Sequence, residues 1–189
     1  TPAISLGLLI GAWIVGGSVQ HIVERLQKPG RVPWSYWGMH LAHLGMAVVV
    51  LGITLVKGYE MERDVRMGIG DTVTLRSVTF QLKDVQGVDG PNYKALRATL
   101  DVKQGHNVIA QMQPEKRRYF SSAMPMTEAA IDSGFMRDLY VSLGEPLNDT
   151  RTEWSVRVYF KPFVPWLWAG VLLMVLGGVL AAVDRRYRK

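Results

Sequence analysis

The 189-residue chain has no cysteine, which excludes a disulfide scaffold and a thiolate metal site. It has only four histidines, so any chemistry that needs a neutral nitrogen ligand rests on very few positions. Charge is missing too, but only locally: residues 2–23, 32–56 and 162–183 contain no Asp, Glu, Lys or Arg. With 48% hydrophobic residues the chain is not a disordered one. What it lacks is an even spread of charge, and a water-soluble domain does not usually segregate its charges in this way.

The formal net charge of +6 leaves a nucleic-acid-binding face open until its placement is counted. Between Lys57 and Lys161 there are 15 Lys/Arg against 14 Asp/Glu, so the stretch large enough to fold in water is almost neutral. The remaining excess lies in two short pieces, Glu24, Arg25, Lys28 and Arg31 in one and Asp184, Arg185, Arg186, Arg188 and Lys189 in the other. Each abuts an apolar run. That distribution sets a membrane orientation rather than a nucleic-acid face.

A bilayer core needs roughly 20 apolar helical residues, and each charge-free run meets that length. The runs predict transmembrane helices at about 4–23, at 35–56 after Pro29, Gly30 and Pro33, and from Pro162 to Asp184. Gly7 and Gly11 have the small-residue spacing that lets helices approach closely in lipid. Trp166 and Trp168 stand at interface depth. Basic residues near span ends mark the cytoplasmic side, so the loop 24–31 and the tail 185–189 are expected in the cytoplasm. Residues 58–161 then lie on the far side as a separate domain. Thr1 opens directly on an apolar run without a basic n-region or a small-residue cleavage site, so the first run is a membrane helix rather than a secretory signal. The expectation is part of a larger polytopic protein whose other helices pack on these three.

The intervening domain is expected to be mainly β. Val73, Leu75, Val78, Phe80, Leu82 and Val85 alternate as half-buried strands do. Turn signals follow at 89–92 and 104–107, with Ala95, Arg97, Thr99 and Asp101 on one face between them. Further strands are expected at 108–113, 138–143 and 154–160, and a helical turn at 126–131 capped by Thr127 or Ser122. The sum is a small antiparallel sheet or open barrel inserted between membrane helices. Within it Glu115, Lys116, Arg117, Arg118, Tyr119 and Phe120 mix cations with aromatics. That run suits an anionic group such as a propionate or phosphate, or a partner protein. It equally suits a strand edge protected by charge.

Two of the four histidines, His40 and His43, lie inside the second span, where an ionisable residue is a functional candidate by default. A spacing of three sets their rings about 60° apart, too divergent for both to ligate one iron. Neutral imidazole is a good axial ligand for haem iron. Ala42, Gly45 and Ala47 leave room beside His43 for a flat macrocycle, which favours His43 as the ligand and assigns Gly45 to close haem approach. His40 is the alternative ligand or a supporting residue. Either histidine could instead hydrogen-bond a neighbouring helix. His21 is expected at the interface and His106 in an exposed turn.

The run Gly38–Gly45, the run Pro114–Arg117, the segments 126–131 and 137–144, and the ending from Lys161 to Gly170 with Asp184 and its basic tail together resemble the C-terminal part of CcmF. CcmF is the membrane haem-lyase component of bacterial system I cytochrome c maturation. The resemblance covers essentially the whole chain and implies a multi-pass inner-membrane protein with the large domain in the periplasm and the C-terminus in the cytoplasm. It implies transient handling of haem from the haem chaperone CcmE and its attachment to the Cys-x-x-Cys-His thiols of apocytochrome c, alongside CcmH/CcmI-type maturation proteins. It further implies a resident haem b held by two helix histidines, one at the position of His43, that relays electrons from quinol. The second axial ligand would come from other helices of the same protein. The family's Trp-rich periplasmic segment and its periplasmic histidines are not in this sequence. A non-catalytic membrane adaptor of the cytochrome c assembly complex is the alternative from a different class.

Overall fold

The computed structural model describes residues 1–122 and 124–184. The chain forms two compact units. One comprises residues up to Glu60, the short piece Phe135–Arg137 and the residues from Pro162 on; the other comprises Met61–Gly134 and Asp138–Lys161.

The first unit is helical: α1 Pro2–Leu26, α2 Trp34–Tyr59 and α3 Val164–Ala182. All three are long and apolar enough to cross a membrane. Each charge-free run forms one helix, with ends one to three residues from the expected ones. Glycine brings these helices together. A Cβ added at Gly45 would stand 2.6 Å from the Gly170 carbonyl oxygen and 2.7 Å from the Met174 nitrogen. One added at Gly38 would strike the Gly177 carbonyl, and one at Gly52 would meet Leu167 at 3.0 Å. The helices α2 and α3 therefore run antiparallel, backbone against backbone, along a seam of glycines spaced by seven. On α1, Gly11 faces Leu51 and Gly7 faces Thr54, so the Gly7/Gly11 pair does form a close approach, onto α2.

The helix ends are tied by polar contacts. No side chain of the N-cap residue Pro33 caps α2, and its first turn contains no acidic residue. Asp184 supplies the acceptor instead: its Oδ2 takes the Ser35 N–H at 2.8 Å. The Tyr36 hydroxyl donates to the His21 carbonyl at 2.7 Å, joining the start of α2 to the end of α1. The Arg25 guanidinium donates to the carbonyls of Lys28 and Arg31 at 3.2 and 3.1 Å, which folds the loop between them. The basic tail 185–189 lies outside the described residues.

Among the described residues the second unit has ten strands: β1 Met61–Gly68, β2 Thr72–Leu75, β3 Val78–Asp89, β4 Tyr93–Gln104, β5 Asn107–Met112, β6 Glu115–Tyr119, β7 Met126–Glu128, β8 Ala130–Ser133, β9 Arg137–Pro146 and β10 Glu153–Pro162. One sheet has the order β1-β10-β9-β8, the other β2-β3-β4-β6-β7 with β5 also on β4, and β1–β10, β2–β3, β3–β4, β4–β5, β4–β6, β6–β7 and β8–β9 pair antiparallel. The inner faces stack Phe80, Leu82, Leu100 and Val102 of one sheet on Leu139, Val141, Leu143, Trp154, Val156 and Val158 of the other. The mainly β domain expected from the alternation is thus a pair of facing sheets. The β4–β5 turn is a two-residue one, and Gly105 takes its left-handed position at φ +61°.

One expectation fails. Residues 126–131 form no helical turn; they are the short strands β7 and β8. The composition Met-Thr-Glu-Ala-Ala-Ile favours helix, but pairing with β6 on one side and β9 on the other supplies hydrogen bonds that local preference does not. The charged strand β6 is likewise no sheet edge, since it pairs β4 and β7.

Candidate functional site

Three of the four histidines meet in a groove of about 450 Å³ between α1 and α2, with Trp13, Ser18, Tyr36 and Met39 among its other walls. The bond from Tyr36 to the His21 carbonyl fixes the two helices there. It also sets the Tyr36 ring edge-on to His40, with ring centroids 4.4 Å apart at 68°. The His21 ring also neighbours His40, 6.4 Å between ring centroids.

The two candidate histidines are in opposite situations. His40 is 4% exposed, and neither of its ring nitrogens has a hydrogen-bond partner among the described residues. Buried polar atoms are paired in the great majority of cases, so these two nitrogens are an exception. His43 is exposed and its Nδ1 lies 2.8 Å from the Met39 carbonyl oxygen. A carbonyl can only accept, so Nδ1 carries the proton and Nε2 keeps its lone pair. A ring N–H given to a backbone carbonyl is the arrangement that orients metal-ligating histidines. The position of His43 therefore fits one axial ligand to a haem iron, and His40 fits a hydrogen-bonding role beside it. Among the described residues no group of three or more His, Cys, Asp or Glu comes together to hold a metal ion.

Gly45 does not serve close haem approach. The space where its side chain would be is filled by the backbone of α3 at Gly170 and Met174, so its missing Cβ serves helix packing. His106 lies exposed in the β4–β5 turn.

The cluster on β6 is split by strand alternation. Glu115 and Arg117 point to one face of the sheet, Lys116 and Arg118 to the other. On the first face the Glu115 carboxylate, 5% exposed, takes hydrogen bonds from Nε of Arg97 and Nε of Arg117, each at 2.6 Å. The Arg117 guanidinium also lies 4.5 Å from the centre of the Tyr93 ring. Burial pushes the Glu115 carboxyl up, but the hydrogen bonds and charges of Arg117 and Arg97 outweigh it and hold the group below the usual carboxylate value. Arg117 is thus bound into the domain. On the second face Lys116 Nζ is 3.0 Å from Glu145 and 3.2 Å from the Thr127 hydroxyl, and Arg118 is exposed.

Sequence reasoning missed the groove because His21, Tyr36 and His40 meet only when α1 packs on α2. It missed Asp184 as a cap because that contact spans the chain. The signal for the α2–α3 seam was available in the spacing of Gly38, Gly45 and Gly52 against Gly170 and Gly177.

Comparison with known proteins places these features. Residues 58–162 match the family model described as the CcmF C-terminal beta-sandwich. The chain is 45% identical over 184 residues to the cytochrome c-type biogenesis protein CcmF of Escherichia coli, which covers 97% of this chain and 28% of that protein. It is 46% identical to the CcmF of Pseudomonas aeruginosa over 186 residues, 95% of this chain and again 28% of the relative. Against the cytochrome c-type biogenesis protein ccl1 of Rhodobacter capsulatus the identity is 43%, covering 99% of this chain and 29% of that protein. The chain therefore spans little more than a quarter of the length of these relatives. A solved structure titled cytochrome c heme lyase CcmF superposes with a TM-score of 0.75 over 96% of this chain and 33% of its own, at 16% identity, which establishes the common fold. With the match over the whole β domain and across the flanking helices, the chain belongs to the CcmF family of cytochrome c-type biogenesis proteins and carries its C-terminal β-sandwich.

Proposed function

We propose that the chain is the redox and scaffold portion of a membrane haem lyase, contributing one axial ligand, His43, to a haem b within the membrane. The observation that carries this reading is the bond from His43 Nδ1–H to the Met39 carbonyl, which leaves Nε2 unprotonated and exposed on the helix surface. The second axial ligand comes from helices outside this chain, as expected of a sequence spanning about 28% of its relatives. When bound, such a haem supplies a one-electron centre that relays electrons from quinol to the haem being attached to apocytochrome c. His40, with two buried nitrogens lacking partners among the described residues, offers a hydrogen-bonding site in the same groove for a quinol hydroxyl. The haem chaperone CcmE, apocytochrome c and CcmH/CcmI-type proteins are the partners in this reading. The β domain lies in the periplasm and the basic loop 24–31 in the cytoplasm, an orientation supported by the basic residues at span ends.

Optical spectra of the full-length protein carrying His43→Ala or His40→Ala test the assignment. His43→Ala is expected to abolish the low-spin b-type spectrum. His40→Ala is expected to retain it while slowing reduction by added quinol. An unchanged low-spin spectrum in His43→Ala would sink the ligand assignment.

A further inference from the structure

The β domain is almost neutral overall, yet one end of the space between its two sheets is not. There the apolar interior gives way to a cleft of about 550 Å³. Cross-strand register explains it. On β4 the inward positions Leu100, Ala98 and Leu96 lead to Lys94, and their neighbours on β6 are Lys116 opposite Leu96 and Arg118 opposite Lys94. The inward face of the sheet thus changes from aliphatic to cationic within one repeat. The opposite wall holds Glu145 and Arg151.

Pairing does not neutralise this end. Lys116 is matched by Glu145 at 3.0 Å, and Lys94 stands 4.0 Å from Asp89. Arg118 and Arg151 line the same cleft without an ion-pair partner among the described residues. Two guanidiniums without counter-charges beside an apolar floor at Leu96 and Pro146 make a site for anions that also carry apolar surface. The placement of the apolar residues decides between sources. Leu96 and Pro146 are half-buried in the cleft whereas Arg118 and Arg151 are exposed at it, so an occupant that uses both must insert side chains between the arginines. A flat lipid surface would meet rim charges only.

We propose that this cleft is the docking site for an acidic, extended segment of a partner protein, whose carboxylates pair with Arg118 and Arg151 and whose apolar side chains rest on the floor between the sheets. The surface shares no residue with the histidine groove, and its occupancy does not depend on haem being bound. Arg117 also lines the cleft, but its guanidinium is already paired with the Glu115 carboxylate.

The test uses the full-length protein in phosphatidylcholine nanodiscs and a fluorescein-labelled peptide of alternating Glu and Val, about eight residues long, followed by anisotropy. Wild type is expected to bind the peptide, and Arg118→Glu/Arg151→Glu to weaken binding about tenfold or more. Arg63→Glu/Lys83→Glu, the same charge change at exposed positions elsewhere on the domain, is expected to bind within about twofold of wild type. Equal weakening by both double variants would mean a general field effect and overturn the site. Absence of peptide binding to wild type would overturn it as well. So would full competition by phosphatidylglycerol vesicles at matched charge, which would assign the cleft to a lipid surface. The haem spectrum is expected to be the same in all variants, so failure here is distinguishable from failure of the His43 assignment.

Discussion

In the helical unit the buried positions of α2 are Gly38, His40, Gly45, Ala47, Gly52, Thr54 and Val56, while those of α3 are Gly170 and Gly177. In the β unit they are Phe80, Leu82, Leu100, Leu139, Leu143, Trp154 and their neighbours. The large apolar side chains of the helices, Trp13, Leu9, Trp168 and Leu172 among them, point outward. The two units are thus inverted. The β domain is held by burying large side chains away from water, and it does so without a disulfide. The helices gain nothing by hiding leucine from lipid, so they are held by close backbone approach, and their outward faces remain for lipid or further helices.

Substitution to alanine in each unit should therefore hurt for opposite reasons. Phe80→Ala removes volume from the sandwich and should cost about 3–5 kcal/mol. Gly45→Ala adds one methyl, yet that methyl would stand 2.6 Å from the Gly170 oxygen and 2.7 Å from the Met174 nitrogen, backbone atoms that cannot swing away. It should cost about 1–3 kcal/mol. Gly178→Ala meets nothing within 4 Å and should be neutral or slightly stabilising. Thermal unfolding of the full-length protein in detergent compares the three. If Gly45→Ala proved as harmless as Gly178→Ala, the glycine seam would not be what holds α2 to α3.

A second contrast concerns charge. Residues 2–23, 32–56 and 162–183 of the helical unit carry none, whereas the β unit buries a carboxylate between two arginines. Glu115 has its folded value lowered, so it contributes stability that is complete above the ordinary carboxylate value of 4.5 and is lost as pH falls through the lower folded value. Glu115→Gln should cost about 2 kcal/mol at neutral pH, since it leaves Arg97 and Arg117 facing a neutral amide. The penalty should shrink below pH 4.5 as the wild-type carboxylate takes up its proton. Unfolding midpoints from pH 7 down to the lowest pH at which the protein stays folded would show the two curves converging. Parallel curves would mean that the paired arginines do not hold the carboxyl.

The same contrast explains what was legible in the sequence. Absence of charge marks membrane helices directly, so all three were found, with ends shifted by one to three residues. Alternation marks strands when a face is buried, which revealed 73–85 and 95–102. It failed at β1, where Glu62, Arg63, Asp64 and Arg66 dilute the pattern of Met61, Val65 and Met67. It failed again at β7 and β8, which are too short to alternate and exist through their neighbours. At the candidate site the setting of His43 is local, because its hydrogen-bond partner Met39 is one turn away. The groove was not, because it joins His21 to His40 across two helices. Gly45 was misassigned because a small residue in a span permits close approach without naming what approaches.

The smallest effect lies at the end of the glycine seam. Because α2 and α3 are antiparallel, the end of α3 falls beside the start of α2, and Asp184, 7% exposed, accepts the Ser35 N–H there. A helix start leaves its first amides without intrahelical partners, and a carboxylate at that position satisfies one and interacts favourably with the helix dipole. Pro33 offers no side-chain acceptor, so the bond from α3 does what a local cap does elsewhere. Asp184→Ala should cost about 1 kcal/mol, and Asp184→Asn, which keeps an acceptor and loses the charge, should cost less. Hydrogen exchange resolves so small a change where global unfolding would not. Amides at 35–38 should exchange faster in Asp184→Ala while those of the β core stay as they are. Equal protection at 35–38 in wild type and Asp184→Ala would show that the glycine contacts alone fix the start of α2, and with it the Tyr36 ring against His40.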